Sequence, residues 1–364
     1  MLIFLPLLYL IEGWAHHSEM SFKITETKNY FNKKKLSPDY QKAISQIDSR
    51  KYQAIIPIPF YYCGSENFSI KLDDTSSRVS KIFSYHLQLP LMAFDVGRTS
   101  IPESKKIVQI LSPTYYQKLI ANDLPSEKPF LLVVHPTQQT VYQQNLIDRA
   151  NLILANPEIQ LYELSKAALL KYESANFISE FESLRGSNYN NGAILSPDSS
   201  FFFYENFENK KSEKVLSGNG AFQGNKRGVN TLVNFKKNTF QKEKTYILST
   251  WFFNGQSDAL NDWFRLVVEE KNQASGEWKI IATAFPEFTE VINGNWSMVE
   301  VDFKTSNPEN NIRINTIGKP YTATIKIHVD ELLIREKGKN IFQGLQMKDG
   351  TYRVMKNGHY SFSK

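Results

Sequence analysis

Two short turns in the first half of the chain carry residue types that could do chemistry. Gly64-Ser65-Glu66-Asn67 follows an apolar run at 52–60, and Asp95 with Gly97-Arg98-Thr99-Ser100 follows a second apolar segment at 91–94. Open parallel sheets bind ligands beyond the carboxyl ends of their strands, where the crevice opens. Ser65, Glu66, Asp95, Arg98 and Thr99 are therefore expected on one polar rim, where Arg98 suits a phosphate through paired hydrogen bonds. The competing reading gives the same residues to salt bridges and turn capping. No catalytic residue is assigned, because the chain has no Gly-x-Gly-x-x-Gly after a strand, no phosphate loop, and no His-x-x-x-His or Cys-x-x-Cys spacing. His16 and His17 are adjacent and diverge on a helix, while His86 and His135 stand alone.

The second half offers flat aromatic rings instead. One face of a pyranose is apolar and its edges are hydroxyls, so sugar sites set a ring face beside polar groups. Among the tryptophans, Trp278 is a candidate, and the set expected to touch a ligand is Trp251, Trp263, Arg265, Trp296 and Tyr321. Each Trp competes with a plain place in the core. Alternation along 245–253 puts Trp251 and Phe252 on opposite faces, so only one of them is expected to point inward.

Positioning these residues takes more than one core, because 364 residues exceed what a single core organises. A hydrophobic fraction of 41%, with 25 Phe and 18 Tyr, describes a folded, β-rich chain. The net charge of +6 is spread over loops rather than gathered in a stripe, which argues against a nucleic-acid partner and is compatible with an anionic membrane surface. The single Cys63 excludes an intrachain disulfide.

Residues 1–17 begin with an apolar run at 2–11, stopped by Glu12 and followed by Trp14. The run falls short of the roughly 20 residues of a spanning helix and lacks the basic start of a signal peptide. It reads as the end of a transmembrane helix, against a buried or signal-like segment. Residues 18–50 are a Lys-rich helical connector in which Ser37 caps a helix. Strands at 52–60, 91–94, 130–134 and 159–163, alternating with helices at 76–88, 102–120 and 141–155, make 51–165 a small α/β domain with a mostly parallel sheet. A helix over 166–186 bridges to 187–337. There, strands at 201–205, 231–235, 245–253, 262–270, 278–284, 296–303, 311–316 and 323–335 fit an antiparallel jelly-roll β-sandwich. Residues 338–364 form a tail with a hairpin turning at Lys348-Asp349-Gly350 or Lys356-Asn357-Gly358. The fold class is α+β, multidomain.

The segments Tyr204-Glu205-Asn206-Phe207-Glu208, 216–222 and 327–334 resemble the opening, second and closing strands of galactose-binding-like carbohydrate-binding modules. The resemblance implies a glycan ligand and a structural calcium held by an early carboxylate and an Asp of the closing strand. Glu208 and Asp330 stand at those positions, and oxygen ligands suit that ion. The first half resembles the extramembrane tail of multispanning bacterial membrane proteins related to glycosyltransferases that use lipid-linked sugars. The residues that carry this are the 52–60 run, Gly64-Ser65-Glu66-Asn67-Phe68, Leu89-Pro90-Leu91-Met92, Arg98-Thr99-Ser100 and 124–132. That implies a bacterial inner-membrane location with this part periplasmic, and it carries over no catalytic residue. Three readings follow: a non-catalytic, extracytoplasmic, membrane-associated protein with a carbohydrate-binding-like sandwich, the soluble part of a membrane glycosyltransferase, or a purely structural sandwich.

Overall fold

The computed structural model describes the chain apart from residues 1–3, 27–28, 66, 96, 98, 185–188, 191–193, 196–199, 256–263, 319–324, 347–351 and 363–364. It opens with α1 (Phe4–Glu26), on which Ile11, Trp14, Met20 and Phe22 are exposed. No helix among the described residues is long and apolar enough to cross a membrane. Ser37 accepts a hydrogen bond from Tyr40 N at 3.3 Å and starts α2 (Pro38–Gln46), whose proline fits the first turn.

The first domain contains β1 (Ala54–Ile58), α3 (Asp74–Leu87), α4 (Ile101–Val108), β2 (Phe130–Val134), α5 (Val141–Ile147), β3 (Asn151–Ala155) and β4 (Gln160–Leu164). The sheet order is β1-β2-β4-β3. β1 and β2 are buried at every position because both faces are covered. Ile55, Leu131 and Val133 meet Val79, Ile82 and Phe83 of α3, while Ile56, Leu132 and Val134 meet Val108, Ile110 and Leu146 on the opposite side. The expectation of a mostly parallel sheet holds for β1 with β2 and for the bridge from Ile55 to Leu91. It fails at the far edge, where β4 runs antiparallel to both β2 and β3. The helix expected through residue 155 stops at Ile147, and 151–155 become an edge strand. A short apolar run such as Leu152-Ile153-Leu154 satisfies either period, and pairing with β4 decides it.

The bridging helix is likewise divided, into α6 (Lys166–Leu169) and α7 (Ser174–Leu184), followed by the short strands β5 (Tyr189–Asn190) and β6 (Ile194–Leu195). Next come β7 (Phe202–Glu205), β8 (Phe222–Asn225), β9 (Gly228–Phe235), β10 (Tyr246–Phe253) and β11 (Arg265–Lys271). They are followed by β12 (Trp278–Ala284), β13 (Val291–Asn293), β14 (Trp296–Phe303), β15 (Asn311–Gly318) and β16 (Lys326–Glu336). The first sheet runs β13-β14-β10-β16-β7, with β8 also on β16, and the second runs β12-β11-β15-β9. Neighbouring strands are antiparallel throughout both sheets, and the pair forms the expected sandwich. Between them lie Tyr246, Leu248, Phe252, Leu266, Val268, Val299, Ile314, Leu332 and Ile334. Each such side chain contributes roughly 1.5–3 kcal/mol through burial.

The tail adds β17 (Phe342–Gln346), β18 (Tyr352–Lys356) and β19 (His359–Phe362), in a sheet ordered β19-β18-β17-β6-β5. Asn357 and Gly358, at φ 55° and 85°, make the tight β18–β19 turn expected of an Asn-Gly pair. Gly358 is needed there, since a Cβ would come within 2.8 Å of Ser249 Oγ. Met355, Tyr360 and Ile341 pack on Trp251, Met298 and Leu333 of the first sandwich sheet, and Tyr116 of the first domain joins them. The two domains are further dovetailed by Ser112 Oγ, which donates to Glu290 O at 2.9 Å and accepts from Ile292 N at 3.0 Å. Ile292 is itself buried in the core of the first domain.

Candidate functional site

The outer face of the second sandwich sheet is where polar chemistry is assembled. Alternation on β11 turns Leu266 and Val268 into the core, leaving Arg265, Val267 and Glu269 outward. Register then sets Val267 beside Asn315 and Thr283, and Glu269 beside Arg313 and Ile280. On β9, Thr231 lies beside Asn315. The centre of this face is sunken: Asn315 and Val267 are 0% exposed and Glu269 6%, while Ile280 and Val229 at the flanks are 37% and 59% exposed.

Glu269 organises the floor. Its Oε2 accepts from Arg313 Nε at 2.8 Å and from Asn315 Nδ2. The Arg313 guanidinium carbon lies 4.0 Å from the Trp278 ring centroid, a cation–π stack that fixes both side chains. Asn315 Oδ1 is buried without a hydrogen-bond partner. An unmet buried acceptor costs about 1–3 kcal/mol, which a ligand hydroxyl donating to it would offset. A flat ring, a forked donor and an unmet buried acceptor thus lie on one recessed face.

The sequence-derived residues divide sharply. Trp251, expected as a stacking platform, is 0% exposed, with its indole N–H donating to Gly358 O at 2.8 Å. Trp296 is 7% exposed and packs edge-on to Phe253 at 5.5 Å. Both are corrected to core, because the tail covers the face they occupy. Phe252 is buried on the opposite face, so Trp251 and Phe252 both point into cores. Arg265 lies on the open face and is partly exposed. Trp263 and Tyr321 lie outside the described residues, as do Glu66 and Arg98 of the rim set.

The two rim turns meet through the backbone, but the side chains described there are spent on local contacts. Ser65 Oγ closes its own turn with Phe68, at 3.2 Å from its N and 3.3 Å from its O. Asp95 is ion-paired with Lys81, whose hydrogen bond holds its carboxyl below the usual range. Thr99 donates its N–H to Gly64 O at 2.6 Å and lines a cavity of about 380 Å³ with Glu103 and Tyr62.

Glu208 and Asp330 do meet at one loop. Glu208 Oε2 accepts from Asn219 N at 2.8 Å, and Asp330 Oδ2 accepts from Leu216 N at 2.9 Å and Ser217 N at 3.2 Å. Asp330 Oδ1 takes Glu331 N at 2.9 Å. Burial, and then the neighbouring Glu331, push the Asp330 carboxyl up to about 8. These oxygens thus face backbone donors, and among the described residues no group of three or more His, Cys, Asp or Glu side chains could hold a metal ion.

Sequence reasoning missed Glu269, Arg313 and Asn315. On β15 the signal was the polar series Asn311, Arg313 and Asn315 between apolar residues, which reads as a solvated face until register sets it beside Glu269 of β11.

No family model matches the chain, and no curated protein matches it. Solved structures similar to it include the CBM22-1 xylan-binding domain from Paenibacillus barcinonensis Xyn10C, at 12% identity and TM-score 0.24, covering 41% of this chain and 88% of that one. The xylan-binding module CBM15 is similar at 10% identity and TM-score 0.23, covering 40% of this chain and 98% of that one. The CBM22-1-GH10 modules of Clostridium thermocellum endo-1,4-β-D-xylanase 10B are similar at 18% identity and TM-score 0.23 over 40% of this chain. The match spans 26% of that xylanase chain.

Proposed function

We propose that this chain is a non-catalytic carbohydrate-binding protein whose glycan platform is the outer face of the β12-β11-β15-β9 sheet. The observation that carries the reading is the Trp278–Arg313 stack beside the buried Glu269–Asn315 pair, with Asn315 Oδ1 unpartnered. Trp278 offers a ring edge and face, Arg313 and Arg265 offer donors, and Thr231 and Thr283 offer hydroxyls at the flanks. The proposal extends to an extracytoplasmic, membrane-associated setting, supported by the exposed Ile11, Trp14, Met20 and Phe22 on α1. A lipid-linked sugar donor would follow from the sequence resemblance alone and adds no residue to this platform.

The test is isothermal titration of the full chain with soluble polysaccharides, beginning with xylan and including galactans and β-glucans. Wild type binds at least one of them, and Trp278→Ala weakens it about tenfold, the 1.4 kcal/mol of one stacked ring. A folded wild type that binds none, or a variant that binds equally well, removes the platform. For the membrane setting, the wild type floats with anionic vesicles and Trp14→Glu/Phe22→Glu does not. Equal recovery of both proteins would dismiss α1 as the attachment.

A further inference from the structure

A separate crevice of about 380 Å³ opens between the domains, beyond the carboxyl ends of the parallel strands β1 and β2. Pro59 and Phe60, next after β1, line one side, and Glu290 and Glu300 of the sandwich line the other. The volume is in the range of small-ligand sites.

Its polar lining includes three carboxylates, Asp73, Glu290 and Glu300. Glu290 Oε1 accepts from Gln143 Nε2 at 2.6 Å and its carboxyl is also hydrogen-bonded by Thr140, with no ion pair to it among the described residues. Gln143 is 4% exposed, and its Oε1 is buried with no hydrogen-bond partner. Glu300 Oε2 accepts from Tyr142 OH at 2.6 Å, while its Oε1 faces Arg335 at 3.7 Å. At the mouth, Lys71 and Asp73 offset one another, and Phe288, 45% exposed, supplies an apolar lip. The crevice therefore holds a carboxyl with no ion-pair partner among the described residues, an unmet amide oxygen and an aromatic face. A primary ammonium answers all three, with several N–H donors on a compact cation that also attracts an aromatic ring.

We propose that this crevice binds a small ligand with a primary ammonium on a short carbon skeleton, held by Glu290 and Gln143 Oε1 with Phe288 against its carbon face. Burial raises the Glu290 carboxyl, and an incoming cation would hold it ionised. The site is independent of the sheet platform, so either can fail alone.

The experiment titrates the full chain with glucosamine, N-acetylglucosamine, n-pentylamine and n-pentanol. The amines bind at least tenfold tighter than their neutral counterparts, Glu290→Gln removes that preference, and Phe288→Ala, a surface change that leaves the fold intact, weakens amine binding several-fold. Binding of glucosamine alone supports an amino sugar as the ligand, and binding of both amines supports an alkylammonium. Trp278→Ala leaves amine binding unchanged. Equal affinity for amines and neutral analogues, amine binding that survives Glu290→Gln, or no amine binding by folded wild type overturns the proposal.

Discussion

The two outer faces of the sandwich begin from the same alternating pattern and end differently. On the first sheet, the outward positions of β10, β14 and β16 carry Trp251, Met298 and Leu333, and the tail strands with Tyr116 bury them. On the second sheet, the outward positions of β11 and β15 carry Val267, Glu269, Arg313 and Asn315, and charged pairs and an aromatic stack organise them instead. The lesson is that an aromatic residue facing out of one sandwich is not thereby a platform. Whether it binds a ligand depends on what the rest of the chain lays over it.

The cover over the first face is locked by a buried ion pair. Arg353 of β18 and Glu331 of β16 lie 3.1 Å apart with side chains 3% and 1% exposed, and Tyr204 OH donates to the same carboxylate. The Arg353 guanidinium carbon lies 4.1 Å from the Tyr360 ring centroid. Removing one partner leaves a buried charge unpaired, so Arg353→Met is expected to cost about 3–5 kcal/mol in urea denaturation. Trp251→Ala, a large-to-small change in the same layer, is expected to cost about 3–5 kcal/mol as well. Trp278→Ala on the open face is expected to change stability by less than about 1 kcal/mol. Equal losses at Trp251 and Trp278 would erase the contrast between the faces.

A smaller effect follows from pH. His359 is buried beside Tyr115 and Tyr116, near Tyr142, with its pKa lowered from 6.5 to about 3 by burial and then by Arg335 and Lys356. The folded state disfavours the protonated ring. Its contribution is therefore fully present above 6.5 and is lost as pH falls toward about 3, at up to about 1.4 kcal/mol per pH unit. His359→Gln should flatten the stability profile in that window. An unchanged slope would mean that the ring is not held neutral at the cover.

The smallest expected effect concerns calcium. Because Glu208 and Asp330 already accept backbone N–H groups, millimolar calcium is expected to leave the unfolding midpoint unchanged. A rise of several degrees, lost in Asp330→Asn, would place a calcium ion at that loop.

Much of the architecture was legible because strand length and alternation are local properties. The spans 278–284 and 296–303 match β12 and β14 residue for residue. Both proposed tail turns join antiparallel pairs, though 347–351 lie outside the described residues. The edge strand at 151–155 was read as helix, since short apolar runs fit both periods. The site was less legible. Trp251 and Trp296 were chosen by residue type, but Trp251 is capped by the tail more than a hundred residues away, and Trp296 lies in the same tail-covered cluster against Phe253. Glu269, Arg313 and Asn315 gain meaning only from register.

The most direct test of the account is hydroxyl-radical footprinting of the tryptophans, with and without a bound polysaccharide. Trp278 is expected to react in the free protein and be protected by ligand, while Trp251 stays unreactive in both states. Protection at Trp296 or in the tail with Trp278 unchanged would contradict the assignment of the glycan platform to the second sheet.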